Sequence, residues 1–519
     1  MVMRRVFNHH VCLCVLSTAI LAGLALMASQ TKVYAQAQNC KGLTGSSDGD
    51  DGSGLIVCDG GAEGTGVQKG VGTLTGKRDI NMSVHSGQAA VTVTGAKTNI
   101  TISSELKVTD KSSKNNNPAI KVHKQGKLML VGGVSVEGVQ KGIVVEGPSS
   151  SVTVVQGKIG VRKGGGPVIE VKNNGEVVLM EGVTVTGSGG SEGEVVINNG
   201  GDVMLMGTNL TGVTMGIVVR GGGNANVKGG ATIGVRAGGK GFKVEGTATA
   251  NVMDMTINGS GGGGTGAEVS SGTLTLNSVT LKQLETGAKV TNGVLTMEGS
   301  STINVAAGGT GVKVSNNGKV EMMGGSITGN GNGSTGTGVE MEGTADVTLM
   351  GVTLEQLKTG AKVTGGTLTV NGGSKIKVIA GGKGIDVSSG KVTMEGGSIT
   401  GNGGSGTGLV MSGNADVTLN GVNISEVQKG VEMGGSGVLK LDGTTTINVA
   451  GNGTGMSVTG GNVVMTGTLT ITGSGTTGMS VSNGTDGDDG GEDDDYCWGR
   501  GDGVGCEWWD GDDGGGVDD

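Results

Sequence analysis

Proline and aromatic residues are nearly absent from this 519-residue chain, which has 3 Pro, 2 Phe, 2 Tyr and 3 Trp. Without proline, and without glycine at every third position, a collagen triple helix is excluded. Without stacking rings or a basic stripe, the usual means of holding nucleic acid are missing. Histidine is scarce, and only His85 and His123 stand beyond the first residues, so general bases are few. Beyond residue 28 no apolar run is long enough to cross a bilayer as a helix. What the chain has is glycine, 114 residues of it, about three times the usual share of roughly 7%.

That glycine is ordered by a phrase, a small residue followed by apolar–x–apolar. It runs GTGVKV at Gly311, GTGVEM at Gly338, KTGAKV at Gly360, GKGIDV at Gly384, GTGLVM at Gly408, QKGVEM at Gly430, GTGMSV at Gly455 and TTGMSV at Gly478. Upstream it recurs at Gly287, Gly266, Gly241, Gly216, Gly193 and Gly142, and in looser form at Val168, Ala119, Ala90 and Gly66. The period is about 24 residues, which is the range of solenoid units.

Within a period the pattern has period two. In the segment from Thr359 to Val378, Ala361, Val363, Leu368, Val370, Ile376 and Val378 alternate with polar residues. Such alternation marks half-buried strands. Three of them are separated by glycine-rich corners, where glycine supplies the positive φ of a sharp turn. The expectation is an all-β chain, a right-handed parallel β-helix of about 18 coils with three short strands per coil. At the usual strand spacing it would be a rod about 85 Å long. Methionine is expected as a filler of its narrow core. A disordered low-complexity chain would not need this alternation.

The start reads as a signal peptide over residues 1–35. Arg4 and Arg5 precede an apolar run from Val11 to Ala28, and Val33-Tyr34-Ala35 suits cleavage. The chain is therefore expected to be exported. Cys12 and Cys14 leave with the leader, and four cysteines remain. Local pairing of Cys40 with Cys58 and of Cys497 with Cys506 is the expected one of three connectivities, each bond contributing about 2–3 kcal/mol. This divides the chain into an N-terminal cap at 36–63, the β-helix at 64–483 and an acidic Gly/Asp-rich tail at 484–519. The disulfides would pin end segments over open strand edges.

The tail holds one sharper motif. Arg500-Gly501-Asp502 stands between Cys497 and Cys506 and resembles integrin-recognition loops, with ring closure reducing the ordering cost of binding. It is the candidate receptor-binding site. Acidic loops at 48–52, 486–490 and 510–514 look partly like calcium ligands, but none has the terminal Glu of a complete oxygen cage. No metal and no cofactor is expected. Nor does any catalytic carboxylate pair emerge from Lys362, Lys377, Asp386, Glu395 and Glu426, which fall at outward positions and loops. The glycine string at 261–266 matches a dinucleotide fingerprint without its strand-then-helix setting.

A leader of the form MRRVFNHHVCLCVLSTAILAGLALMASQTKVYAQ followed by a Gly/Thr/Val-rich β-helix resembles the passenger domains of type V autotransporters, above all those of blood-borne, vessel-colonising alphaproteobacteria. The resemblance implies a non-enzymatic adhesin or secreted effector whose partner is a host cell-surface receptor or the extracellular matrix, an integrin among them. Passengers carry a translocator barrel with aromatic girdles. Nothing after Gly484 suits such strands, so a separate outer-membrane translocator is the implied export partner. Location at the cell surface or in the medium is expected, or in the periplasm without a translocator. The competing readings are a carbohydrate-active β-helix enzyme and a truncated passenger acting as a spacer. The long loop at 324–338 is a further contact candidate.

Overall fold

The computed structural model describes residues 52–59 and 71–482, apart from 86, 113, 190–192 and 331–334, together with the backbone of Cys40–Lys41 and Val504–Cys506. The fold is an all-β parallel solenoid of about 17 turns, 65% strand and 1% helix, as the alternation predicts. At about 4.8 Å per turn the stack is roughly 80 Å long.

Each turn contributes one strand to each of three faces. The first face begins with Ile56–Cys58 paired to Val91–Thr94, the second with Val71–Leu74 paired to Asn99–Ile102, and the third with Arg78–Asn81 paired to Leu106–Thr109. The first rung thus lies at Ile56–Cys58, within the segment read as a cap. The phrase at Gly66 lies outside the described residues.

Alternation decides the core. On the first face Ile143, Ile169, Val195, Ile217, Phe242, Ala267, Ala288 and Val312 stack rung on rung and are fully buried or nearly so. Phe242 finds room because the two rungs beyond it carry only alanine. Outward positions of the same face form a charge ladder. Lys243, Glu268, Lys289, Lys313, Glu340, Lys362 and Asp386 follow one another up the stack. Lys313 and Glu340 approach to 3.4 Å. Such partly exposed pairs contribute about 0–1 kcal/mol each.

The glycine that opens each phrase has a packing cause. A Cβ on Gly360 would lie 2.5 Å from the carbonyl oxygen of Gly384 and closer still to Cγ2 of Ile376. Gly287, Gly311, Gly384, Gly430 and Gly455 meet the same obstacle in Ile303, Ile327, Ile399, Ile447 and Ile471. The third-face isoleucine of the following turn presses its branch against a bare backbone. Where that residue is valine, at Val136 and Val185, the column holds Ala119 and Val168 instead. Gly193 is not part of this column: the register of Val195 with Ile217 puts Glu194 there.

Methionine divides between two roles. Met255, Met297, Met322, Met341, Met394, Met411 and Met433 fill the core as expected. Met129, Met204, Met206, Met253, Met323 and Met350 do not, because they fall on outward positions of the second face.

At both ends the pairing changes sense. Cys40–Lys41 runs antiparallel to Ile56–Cys58, and Val504–Cys506 runs antiparallel to Thr468–Thr472. An antiparallel strand cannot pass the coil register onward, so each cap blunts one edge of the stack.

Candidate functional site

The corners of the solenoid are unequal. Turns from first to second face, such as 124–126, 173–175 and 246–248, are short, as are those from second to third, such as 324–325 and 396–397. Beyond the opening turn, the longer and irregular connections emerge at one corner, between the third face and the next first face. They include 110–117, 162–168, 187–194, 259–264, 329–336 and 401–405. The contact candidate at 324–338 is not a single loop: 324–325 is a second-to-third corner, Ser326–Thr328 is a third-face strand, and only 329–336, of which 331–334 lie outside the described residues, is the connection.

From Gly187 onward the widest of these loops recur every third turn. Gly187, Gly259, Gly329 and Gly401 open a wide finger, and each abuts the carbonyl of the residue stacked on it, respectively Gly212, Gln283, Gln356 and Glu426. Those four residues make tight corners in the left-handed region, with φ of 63°, 57°, 56° and 56°. The third turn closes through Gly238, Gly308, Gly381 or Asn452, again at positive φ. The sequence therefore has a higher period of about 71 residues, three turns long, and the fingers stand about 14 Å apart along one edge. Ser301 and Ser374 occupy the same place in successive repeats and make the same bonds. Each is buried, donates to a backbone carbonyl at 2.7 Å and accepts the N–H of Val279 or Val352.

Two carboxylates anchor fingers on this edge. Asp110 is buried, and its oxygens accept the hydroxyls of Ser83 and Ser112 at 3.0 Å and the N–H of Asn115 at 3.1 Å. Arg162 of a later finger approaches to 3.6 Å. Burial works to raise the Asp110 pKa, but these hydrogen bonds together hold it below the ordinary carboxylate value. Asn115 ties the preceding connection down, its amide donating to the carbonyls of Met82, His85 and Gln88.

Glu194 is 1% exposed. One oxygen accepts the N–H of Ser188 at 2.7 Å and its hydroxyl at 3.2 Å. The other has no partner among the described residues. Burial pushes its pKa up, against the lowering pull of Ser188, Gly189 and the charge of Arg236. Its neighbour Gly193 lies over Val196 and Val218, which point outward yet are covered. Neither carboxylate stood out in the sequence. Phrase alignment puts Gly193 in that column, and only the strand register shows Glu194 as the acidic residue among small ones.

Of the residues singled out by sequence, Cys40 and Cys58 are Cα partners across the N-terminal antiparallel pair. Cys506 is opposite Leu469. Cys497, Arg500, Gly501 and Asp502 lie outside the described residues, as do all but Gly52 of the three acidic loops. His85 makes a 3.4 Å contact with the carbonyl of Ser53. The pKa of His123 is lowered, first by burial and then by Lys121 and Lys124. Among the described residues no group of three His, Cys, Asp or Glu converges as metal ligands, and no helix is long and apolar enough to cross a membrane. No protein-family model, curated protein or solved structure matches this chain.

Proposed function

We propose that this chain is an exported, non-enzymatic rod of the autotransporter-passenger type that binds host cells or their matrix through its finger-bearing edge. One observation carries the reading: wide fingers leave the same corner every third turn while the other two corners stay short. A spacer needs only the repeating core, and irregularity confined to one edge is what a binding surface built on a rigid scaffold looks like. The leader supports export. The facing positions of Cys40 and Cys58 support a disulfide in the N-terminal cap, and a second bond between Cys497 and Cys506 would close the loop around Arg500-Gly501-Asp502.

The test replaces the fingers 260–264 and 401–405 with the tight corner found at 283–285, leaving every strand in place. Binding of the released chain to cultured endothelial cells should fall while far-UV circular dichroism is retained. Undiminished binding by the folded variant would remove the edge from the argument. An Asp502→Ala arm assigns any remaining binding to the tail. Release of new reducing ends or unsaturated products from acidic polysaccharides would overturn the non-enzymatic part.

A further inference from the structure

We propose that Met180, Met204 and Met206 form a thioether site for a soft monovalent cation, Cu(I) by its chemistry. In the strand Asp202–Met206, Val203 and Leu205 are buried in the core, so Met204 and Met206 share the outward side and are half-buried. The preceding rung pairs Val178 with Met204 and Leu179 with Leu205. Glu181 then packs beside Gly207, which sets Met180 against Met206. Neighbouring rungs are about 4.8 Å apart, and alternate residues of a strand about 6.6 Å. Three flexible thioether stems can close their sulfurs on one ion from those anchor points.

The fold does not require methionine here. At the outward position of Met206 some turns carry methionine again, at Met253, Met323 and Met350, and others carry polar residues such as Asn277, Glu298 and Asn420. Core filling is done by a separate set of methionines. Thioethers are uncharged and soft, and they select Cu(I) over calcium, magnesium or zinc. They also hold no proton that would have to leave on binding. Lys228 faces Met206 from the next rung, and Glu181 lies on the other side. Their opposite charges leave the spot near neutral, which suits an ion of single charge.

Silver(I) is the probe, a redox-inert stand-in for Cu(I), titrated into the full chain after thiols are blocked with N-ethylmaleimide. With methionine methyl groups labelled with carbon-13, the resonances of Met180, Met204 and Met206 should shift together and saturate at one ion per chain. Calorimetry should show affinity falling about tenfold or more in Met204→Leu/Met206→Leu. Met323→Leu/Met350→Leu, which alters the other adjacent outward pair, should leave it unchanged. Leucine preserves bulk, and circular dichroism checks the fold. The proposal is overturned if the three resonances stay fixed at one equivalent of silver, or if both double variants lower affinity alike.

Discussion

The glycine column makes the sharpest quantitative claim, and Gly360→Ala tests it. The added methyl would meet the carbonyl oxygen of Gly384 at 2.5 Å and the Cγ2 branch of Ile376 more closely. Neither can swing away, since one is backbone and the other is the fixed branch of a buried residue 1% exposed. Overpacking of this kind costs about 1–3 kcal/mol, and two rigid obstacles put Gly360→Ala toward the upper end. The control is Gly478→Ala in the same column on the last turn, where nothing lies within 4 Å. A stacked solenoid need not unfold in one step, so the readout is amide hydrogen exchange in the strand around Ala361–Val363. A local loss of 2 kcal/mol speeds exchange through opening about 30-fold. If Gly360→Ala exchanged no faster than the native chain, or if Gly478→Ala did equal damage, steric closure by isoleucine would not be the reason for the glycines.

Three further outcomes follow from the same geometry. Glu194 has a raised pKa in the fold, so its contribution to stability is greatest below its unfolded value of about 4.5 and declines as pH rises through the folded value; Glu194→Gln should therefore raise the melting temperature at neutral pH, with the gain vanishing below about pH 4.5. A gain that persisted unchanged at pH 3.5 would contradict this. Gln356 has φ of 56°, a conformation costing non-glycine residues about 1–2 kcal/mol. Gln356→Gly should raise the midpoint of urea denaturation and Gln356→Val should lower it. Deleting residues 329–400 removes one three-turn repeat and joins Thr328 to Gly401; small-angle scattering should show a rod about 14 Å shorter, whereas deleting 329–390, which joins third-face Thr328 to second-face Lys391, should aggregate or lose strand content.

Much of the fold was legible because its cause is local. Residues such as Leu368, Thr369 and Val370 state by alternation which side is buried, and the glycines beside them state where the chain turns. Glu194 was not legible, because GSEGEVVI reads as a polar corner until the rung of Ile217 fixes its register. The outward methionines were missed for a similar reason. Composition marks Met as core filler, and only pairing tells Met322 from Met323.

By itself the sequence determined the solenoid, its three strands per turn and the need for glycine at its corners, since these depend on side-chain period and backbone freedom alone. Tertiary structure decided which corners fall above one another. It set three turns as the true repeat, drew the fingers onto one edge, buried Glu194 and brought Met180 against Met206. Residues far apart in the chain become neighbours only through rung-to-rung hydrogen bonding, and no local pattern carries that register.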